Sequence, residues 1–333
     1  MAFGAVLASS PLTPFIIGLV IGVPSVILYL LEAIILIKYW KQLHSPFFRL
    51  FLVRFTLNFL NYICSYMYAR LGRVGLFYEF FQSSPSLVLA IWFTFYYYSF
   101  HAENLATMFI LINRLTSIVF AIIHVKIWKY LLPLSILIIA IVPIPFTAPM
   151  LTYKFNARLQ TDNYSYSIYH IPLTEGDFQL EPSFISAISA VIFCIICGAL
   201  NILTLIVYNS NSNGNNLADQ IQQKIEKRLT IYAIITFMGH LYMAVYMIAI
   251  YVFCCMMDMD SLFLATFNQL PWVSDFSTIV VPAWVLLWAS NKIRALMIKE
   301  LRLEKWPLVG KLVVNIQKQT TITVISNSRS DFD

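Results

Sequence analysis

The sequence predicts an all-α fold: an integral-membrane bundle of seven transmembrane helices, closed by an amphipathic helix lying on the inner leaflet. Three observations carry this prediction. Of 333 residues, 59% are hydrophobic and only 11% charged, against roughly 45–50% and 25% in a soluble domain, and the mean hydropathy is +0.75. The apolar residues gather into seven long stretches, and Lys and Arg fall overwhelmingly on one side of them. A chain with so little charge cannot cover a water-soluble globule, which excludes a cytosolic enzyme, a disordered protein and a nucleic-acid binder.

Crossing about 30 Å of hydrocarbon at 1.5 Å per residue takes about 20 mostly apolar residues. The stretches that satisfy this are Phe15–Ile37, Phe48–Tyr68, Leu87–Asn113, Tyr130–Leu151, Phe184–Tyr208, Leu229–Cys254 and Leu264–Ala289, spans 1 to 7. The boundary between spans 3 and 4 is the weakest, because Arg114 to Lys129 is basic and half apolar. Residues 1–14 carry no basic side chain, and the apolar run after them is about twice a signal peptide's core, so span 1 reads as a retained helix. The chain then divides into an extracellular segment, 1–14, the bundle, 15–289, the amphipathic cytoplasmic helix, 290–306, and a flexible cytoplasmic tail, 307–333. In the amphipathic helix Ile293, Leu296, Met297, Ile298, Leu301 and Trp306 share a face, Lys292, Arg294, Lys299, Arg302 and Lys305 lie mostly opposite, and Pro307 ends it.

Basic loops stay in the cytoplasm. With the N-terminus outside, 17 of the 22 Lys and Arg residues fall inside, four (Arg70, Arg73, Lys154, Arg158) outside, and Arg54 within span 2. The net charge of +6 is therefore an inner-leaflet signature and not a nucleic-acid footprint. The sequon Asn163-Tyr164-Ser165 lies in the long fourth connection, which the same orientation places outside, making Asn163 the expected glycosylation site. The inner connection before span 6 opens with a polar Asn/Ser run and turns helical and basic, extending span 6 below the membrane with Lys224, Lys227 and Arg228. Five cysteines in apolar contexts form no disulfide framework.

Ionisable groups inside a bilayer are costly, so each points to framework or function. Glu32 in span 1 and Arg54 in span 2 sit at similar depth, and an ion pair between adjacent helices is the expected explanation. His101 and Glu103 in span 3 are two residues apart and point in different directions. His240 lies at mid-depth in span 6. These groups can serve as hydrogen-bonding partners, a proton relay or ligand contacts. Asp275, beside Trp272 in span 7, reads as a pocket residue or a bundle-locking contact. Aromatic residues crowd the outer half of span 3, including Trp92 and Tyr96, and of span 6, where Tyr242 and Tyr246 lie one turn apart. Such rings can wall a small-molecule site or form a membrane belt. The candidate ligand contacts are thus Trp92, Tyr96, His101, Glu103, Tyr242, Tyr246, Trp272 and Asp275. No His-x-x-x-His or paired-Asp spacing occurs, and no catalytic residue, metal or cofactor is expected.

Seven spans with the N-terminus out and a helix after span 7 resemble a G-protein-coupled receptor. The rhodopsin-like marks are mostly missing: there is no Trp-x-Pro in span 6 and no Asn-Pro-x-x-Tyr in span 7. Only Asn113-Arg114-Leu115 stands where that family has its acidic-Arg-aromatic triplet. Other segments are more specific. They are Pro46-Phe47-Phe48-Arg49-Leu50-Phe51 with Arg54-Phe55 and Asn58, Ile112-Asn113-Arg114-Leu115-Thr116, Pro271-Trp272-Val273-Ser274-Asp275-Phe276 with Pro282-Ala283-Trp284, and Ser290-Asn291-Lys292-Ile293-Arg294. These resemble the nematode serpentine chemoreceptors, most closely class gamma of the Srg superfamily, from span 1 to the end of the amphipathic helix. The resemblance implies a receptor in the plasma or ciliary membrane that binds a small external chemical and activates a heterotrimeric G protein. It also implies that Arg54 and Asp275 belong to the framework and that Arg114 is the inner-face switch, with Asn113 in place of the usual acid. Arg114, Lys224, Lys227 and Arg228 would face the G protein.

A ligand-gated channel or small-solute transporter is the alternative. Neither internal repeats nor broken Gly-rich mid-membrane helices support a transporter, and the charge distribution opposes channels whose N-terminus is inside.

Overall fold

In a computed structural model, residues 12–43, 45–159, 165–171, 182–210, 217–252 and 260–302 are described. Each predicted span is helical. Span 1 is Leu12–Lys38. Span 2 is Pro46–Ser65, prolonged by a π-helical turn, Tyr66–Arg70, and by Leu71–Arg73. Spans 3, 5 and 6 are Ser86–Val119, Pro182–Ser210 and Leu217–Tyr251. Span 4 is His124–Ile141, prolonged by Ile144–Thr147 and the 3-10 turn Ala148–Thr152. Span 7 is Asp260–Asp275, a second π turn Phe276–Val280, and Val281–Ala289. Pro46 and Pro182 open their helices, where a missing N–H costs nothing and the fixed φ suits the first turn. Among the described residues, six spans are long and apolar enough to cross a membrane. Span 3, at 34 residues, has the length, but Tyr96 to Tyr98, His101, Glu103 and Asn104 dilute its apolar run.

The bundle is apolar outside as well as in. Ile16, Val20, Ile27, Ile34 and Ile37 on span 1, and Ile192, Ile195, Ile202 and Ile206 on span 5, are exposed, the surface a lipid environment solvates. Spans 4 and 5 are peripheral and span 7 is the most enclosed. Polar side chains are buried between the helices, among them Glu32, Arg54, Asn58, Glu103, Asn113 and Asp275.

Three features differ from the sequence expectations. Span 3 continues to Val119, and only a short turn separates it from span 4 at His124, because the half-apolar stretch there is helical with Lys126 and Lys129 in the first turns of span 4. Arg70 and Arg73 are not loop residues: both are buried, at 2% and 7% exposure, because span 2 stays helical beyond its apolar run. The fourth connection contains a hairpin, β1 (Lys154–Leu159) paired antiparallel with β2 (Tyr166–Ile171) in the register Phe155↔His170 and Ala157↔Ile168. Its alternation is that of a half-buried strand, with Phe155 and Ala157 inward and Lys154, Asn156 and Arg158 outward. The inward face packs on Phe81, Leu89, Ala90 and Phe93, and the Phe155 amide donates to Ser86 Oγ at 2.7 Å. Asn163 lies outside the described residues.

The hairpin sits on the end of span 2. A Cβ at Gly72 would stand 2.5 Å from the carbonyl oxygen of Tyr166, a clash with backbone that no side-chain movement relieves. Gly72→Ala is therefore expected to lift the hairpin off span 2, seen as faster proteolysis of residues 154–171 with the rest of the bundle intact.

At the opposite, basic end, the helix Asn291–Glu300 packs under spans 1 and 7. Ser290 caps it by accepting from the Ile293 amide at 3.3 Å, while Ile293, Met297 and Ile298 are buried. Leu301 is exposed, and residues 303–306 of the predicted helix lie outside the described residues. The helix is tied to the end of span 1: Lys38 Nζ is 2.6 Å from Glu300 Oε2, the Tyr39 hydroxyl donates to Glu300, and Lys292 donates to the Gln42 carbonyl at 2.5 Å. The hydrogen bond from Lys38, then that from Tyr39, holds the Glu300 carboxyl below its ordinary value of 4.5. A depressed carboxylate stabilises the fold above its unfolded value and loses that contribution as pH falls through the lower folded one. The clamp is thus expected to hold at neutral pH and to open as pH falls through that lowered carboxylate range, measured as faster amide exchange in 291–300, with Glu300→Gln giving the same exchange at neutral pH.

Candidate functional site

Two buried polar centres occupy the bundle, and both are built on span 2. In the first, Arg54 is fully buried. Its Nε donates to Glu103 Oε1 of span 3 at 2.8 Å, Nη2 lies 2.9 Å from His240 Nε2 of span 6, and Nη1 lies 3.4 Å from the Tyr232 hydroxyl. Thr107, one turn beyond Glu103, reaches Glu103 Oε1 at 3.2 Å and His240 Nε2 at 3.3 Å. His240 Nε2 also lies 3.2 Å from Glu103 Oε1. Arg54, Glu103 and His240 thus make one buried polar centre joining spans 2, 3 and 6.

The predicted Glu32–Arg54 pair is not formed. Arg54 turns to spans 3 and 6, and neither carboxyl oxygen of the buried Glu32 has a hydrogen-bond partner among the described residues. Similar depth fixed how far along each helix the two residues lie, but not which way they face. His101 and Glu103 do point apart: His101 Nδ1 lies 3.2 Å from Ser189 Oγ of span 5, while Glu103 faces Arg54.

The second centre lies towards the hairpin end. Arg70, which closes the first π turn, grips Asp275, which precedes the second, through Nη1–Oδ2 at 2.6 Å and Nη2–Oδ1 at 2.5 Å. Its Nε donates to Ser65 Oγ at 3.0 Å, Nη2 also reaches the Pro271 carbonyl at 3.2 Å, and the guanidinium lies 4.5 Å from the Tyr66 ring centroid. Gly22 of span 1 lets this pair close in, since a Cβ there would stand 3.1 Å from Asp275 Oδ2. Asp275 therefore locks spans 2 and 7 against span 1, with both carboxylate oxygens engaged by Arg70. π turns recur at functional sites because the extra residue re-aims the side chains beyond it.

A cleft of about 240 Å³, including its open mouth, lies beside this pair and is lined by Pro14, Phe15, Gly18, Arg70, Arg73, Asn268 and Pro271. The predicted ligand contacts are not gathered there. Trp272 donates to Gln269 at 2.7 Å, Tyr246 donates to the Thr266 carbonyl, and Tyr242 is 43% exposed on the bundle surface. Tyr96 packs against Tyr68, with 5.8 Å between centroids, and Trp92 is half-buried. Glu103 and Asp275 are each engaged in a separate centre. Arg70 and Arg73, which the sequence places in a loop, line the cleft instead; their spacing of three, continuing the helical period of span 2, is the signal that could have found them.

At the basic end Arg114 is buried. It donates to Asn113 Oδ1 at 2.8 Å and lies 4.4 Å from the Phe47 ring centroid. Arg228 donates to Asn291 Oδ1 at 2.6 Å, joining span 6 to the helix 291–300. Lys227 is exposed, and the side chain of Lys224 lies outside those described. No group of three or more His, Cys, Asp or Glu able to hold a metal is found among the described residues.

The model of the Srg family of chemoreceptors matches residues 15–297, from span 1 into the helix after span 7. The chain belongs to that family. It is also 29% identical over 206 residues to serpentine receptor class gamma-31 of Caenorhabditis elegans, a match that covers 57% of this chain and 64% of that receptor. Both polar centres of this Srg chain fall within the family match.

Proposed function

We propose that this protein is a chemosensory G-protein-coupled receptor that takes a small external chemical at the hairpin end and presents the basic end to a heterotrimeric G protein. The family match across all seven spans carries this reading. The charge distribution supports residues 1–14 and the hairpin outside the cell, with the helix Asn291–Glu300 and the residues after it on the cytoplasmic side of the plasma or ciliary membrane. The sequon at Asn163 accords with that orientation.

The geometry supplies a route for the signal. The Arg54 centre ties spans 2, 3 and 6 in mid-bundle, so a shift of span 7 and span 2 around the Arg70–Asp275 lock reaches span 6 through His240. Span 6 in turn holds Arg228 against Asn291 beside Arg114. Such a polar centre has discrete hydrogen-bonded arrangements, which is what a two-state element needs. Arg114→Ala is expected to abolish compound-driven nucleotide exchange on the G protein while surface expression stays at the wild-type level. Unchanged exchange in that variant would remove Arg114 from the switch.

A further inference from the structure

We propose that Arg73 is the anion-binding group of the hairpin-end cleft, and that the ligand class is a small amphipathic oxyanion such as a carboxylic acid. This deepens the receptor reading above, on which its biological role rests. The charge balance of the cleft is unequal. Arg70 and Arg73 both line it and both are more than nine-tenths buried, yet Asp275 is the one carboxylate bonded to either among the described residues. Both of its oxygens are taken by Arg70. Among the described residues Arg73 has the Asn268 carbonyl, reached by Nη1 at 2.7 Å, and the face of Phe267, whose centroid is 4.6 Å away. Its buried Nη2 has no partner among them.

A buried guanidinium without a counter-charge is costly, and a bound oxyanion supplies the missing charge and fills Nη2. The surroundings fit an amphiphile. Pro14, Phe15 and Pro271 give the cleft apolar walls. The enclosed space is only about 10 Å³, room for about one water-sized group, so one oxyanion oxygen enters it and the chain attached to it lies in the open mouth. A free acid and a lipid phosphate present the same oxyanion chemistry, and the test separates them.

The experiment is thermal unfolding of the full chain purified in a neutral maltoside detergent, with and without straight-chain carboxylates from butyrate to dodecanoate, their methyl esters, and lysophosphatidate. The carboxylates are expected to raise the wild-type melting temperature by several degrees and the esters to leave it unchanged. Arg73→Met is expected to melt no lower than wild type without ligand and to lose the carboxylate shift. Arg73→Lys is expected to keep a shift at concentrations at least about tenfold higher. Protection by lysophosphatidate alone, lost in Arg73→Met, supports the same site with a lipid headgroup as its occupant. Equal shifts by acids and esters, no shift by any oxyanion, or unfolding of Arg73→Met well below wild type would each overturn the proposal; the last would make Arg73 a framework residue. A carboxylate that protects through Arg73 but evokes no second-messenger response leaves the site standing and counts against the receptor reading.

Discussion

Replacing Asp275 with Asn is expected to destabilise the bundle by about 3–5 kcal/mol, the cost of leaving a buried ion without its partner. The substitution keeps the shape, removes the charge and turns one acceptor oxygen into an NH2 donor, so Arg70 stays buried between spans 1, 2 and 7 with its bidentate ion pair gone. The remaining partners, Ser65 Oγ and the Pro271 carbonyl, are neutral and cannot balance a guanidinium at 2% exposure. The double variant Arg70→Met with Asp275→Leu removes both charges together and is expected to recover most of the loss, since a buried pair contributes far less than it costs to break. Melting temperatures in detergent for the two single variants and the double variant measure this directly. Equal losses in the Asp275 single variant and the double variant would show that packing, and not charge, governs the contact.

The second large effect is expected at Arg54. Arg54→Met leaves the Glu103 carboxylate buried with only Thr107 and His240 beside it, and is also expected to cost about 3–5 kcal/mol. Glu32 gives the contrast. Its carboxyl oxygens have no partner among the described residues, so Glu32→Leu removes a polar group that gains nothing from the fold and is expected to be neutral or stabilising. A pair of double-mutant cycles separates the two carboxylates. Arg54 and Glu103 should couple by about 1–3 kcal/mol, whereas Arg54 and Glu32 should be additive to within about 0.5 kcal/mol. A large Arg54–Glu32 coupling would restore the pairing that the sequence suggests.

The contrast between Glu32 and Glu103 shows what the sequence can and cannot disclose. Apolar run length carries the helices, because each must cross the same thickness of hydrocarbon, and so all seven spans were legible. Depth was legible for the same reason, since counting residues from a span's end gives height in the membrane. Azimuth was not: with apolar side chains on both the lipid and the core faces, span 1 has no polar side to show where Glu32 points. The hairpin was missed because its strands are short, although the alternation of Lys154 to Leu159 carries the period of two. Arg70 and Arg73 were read as loop because two charged residues end an apolar run. The sequence has no way to show that Asp275, some 200 positions away, neutralises one of them and keeps the helix buried. The candidate site was therefore legible in its ingredients, charged groups and aromatic rings near one end, but not in its partnerships, which depend on rotation of the helices and on two π turns.

The receptor reading makes its most direct commitment about where the signal goes. Cells expressing the chain, and matched cells lacking heterotrimeric G proteins, can be exposed to the same library of small acids and esters with second messenger and membrane current recorded together. The expected result is a compound-evoked second-messenger response that vanishes in the cells without G proteins, with no evoked current in either. A compound-evoked current that persists without G proteins would contradict it and make the bundle a ligand-gated channel.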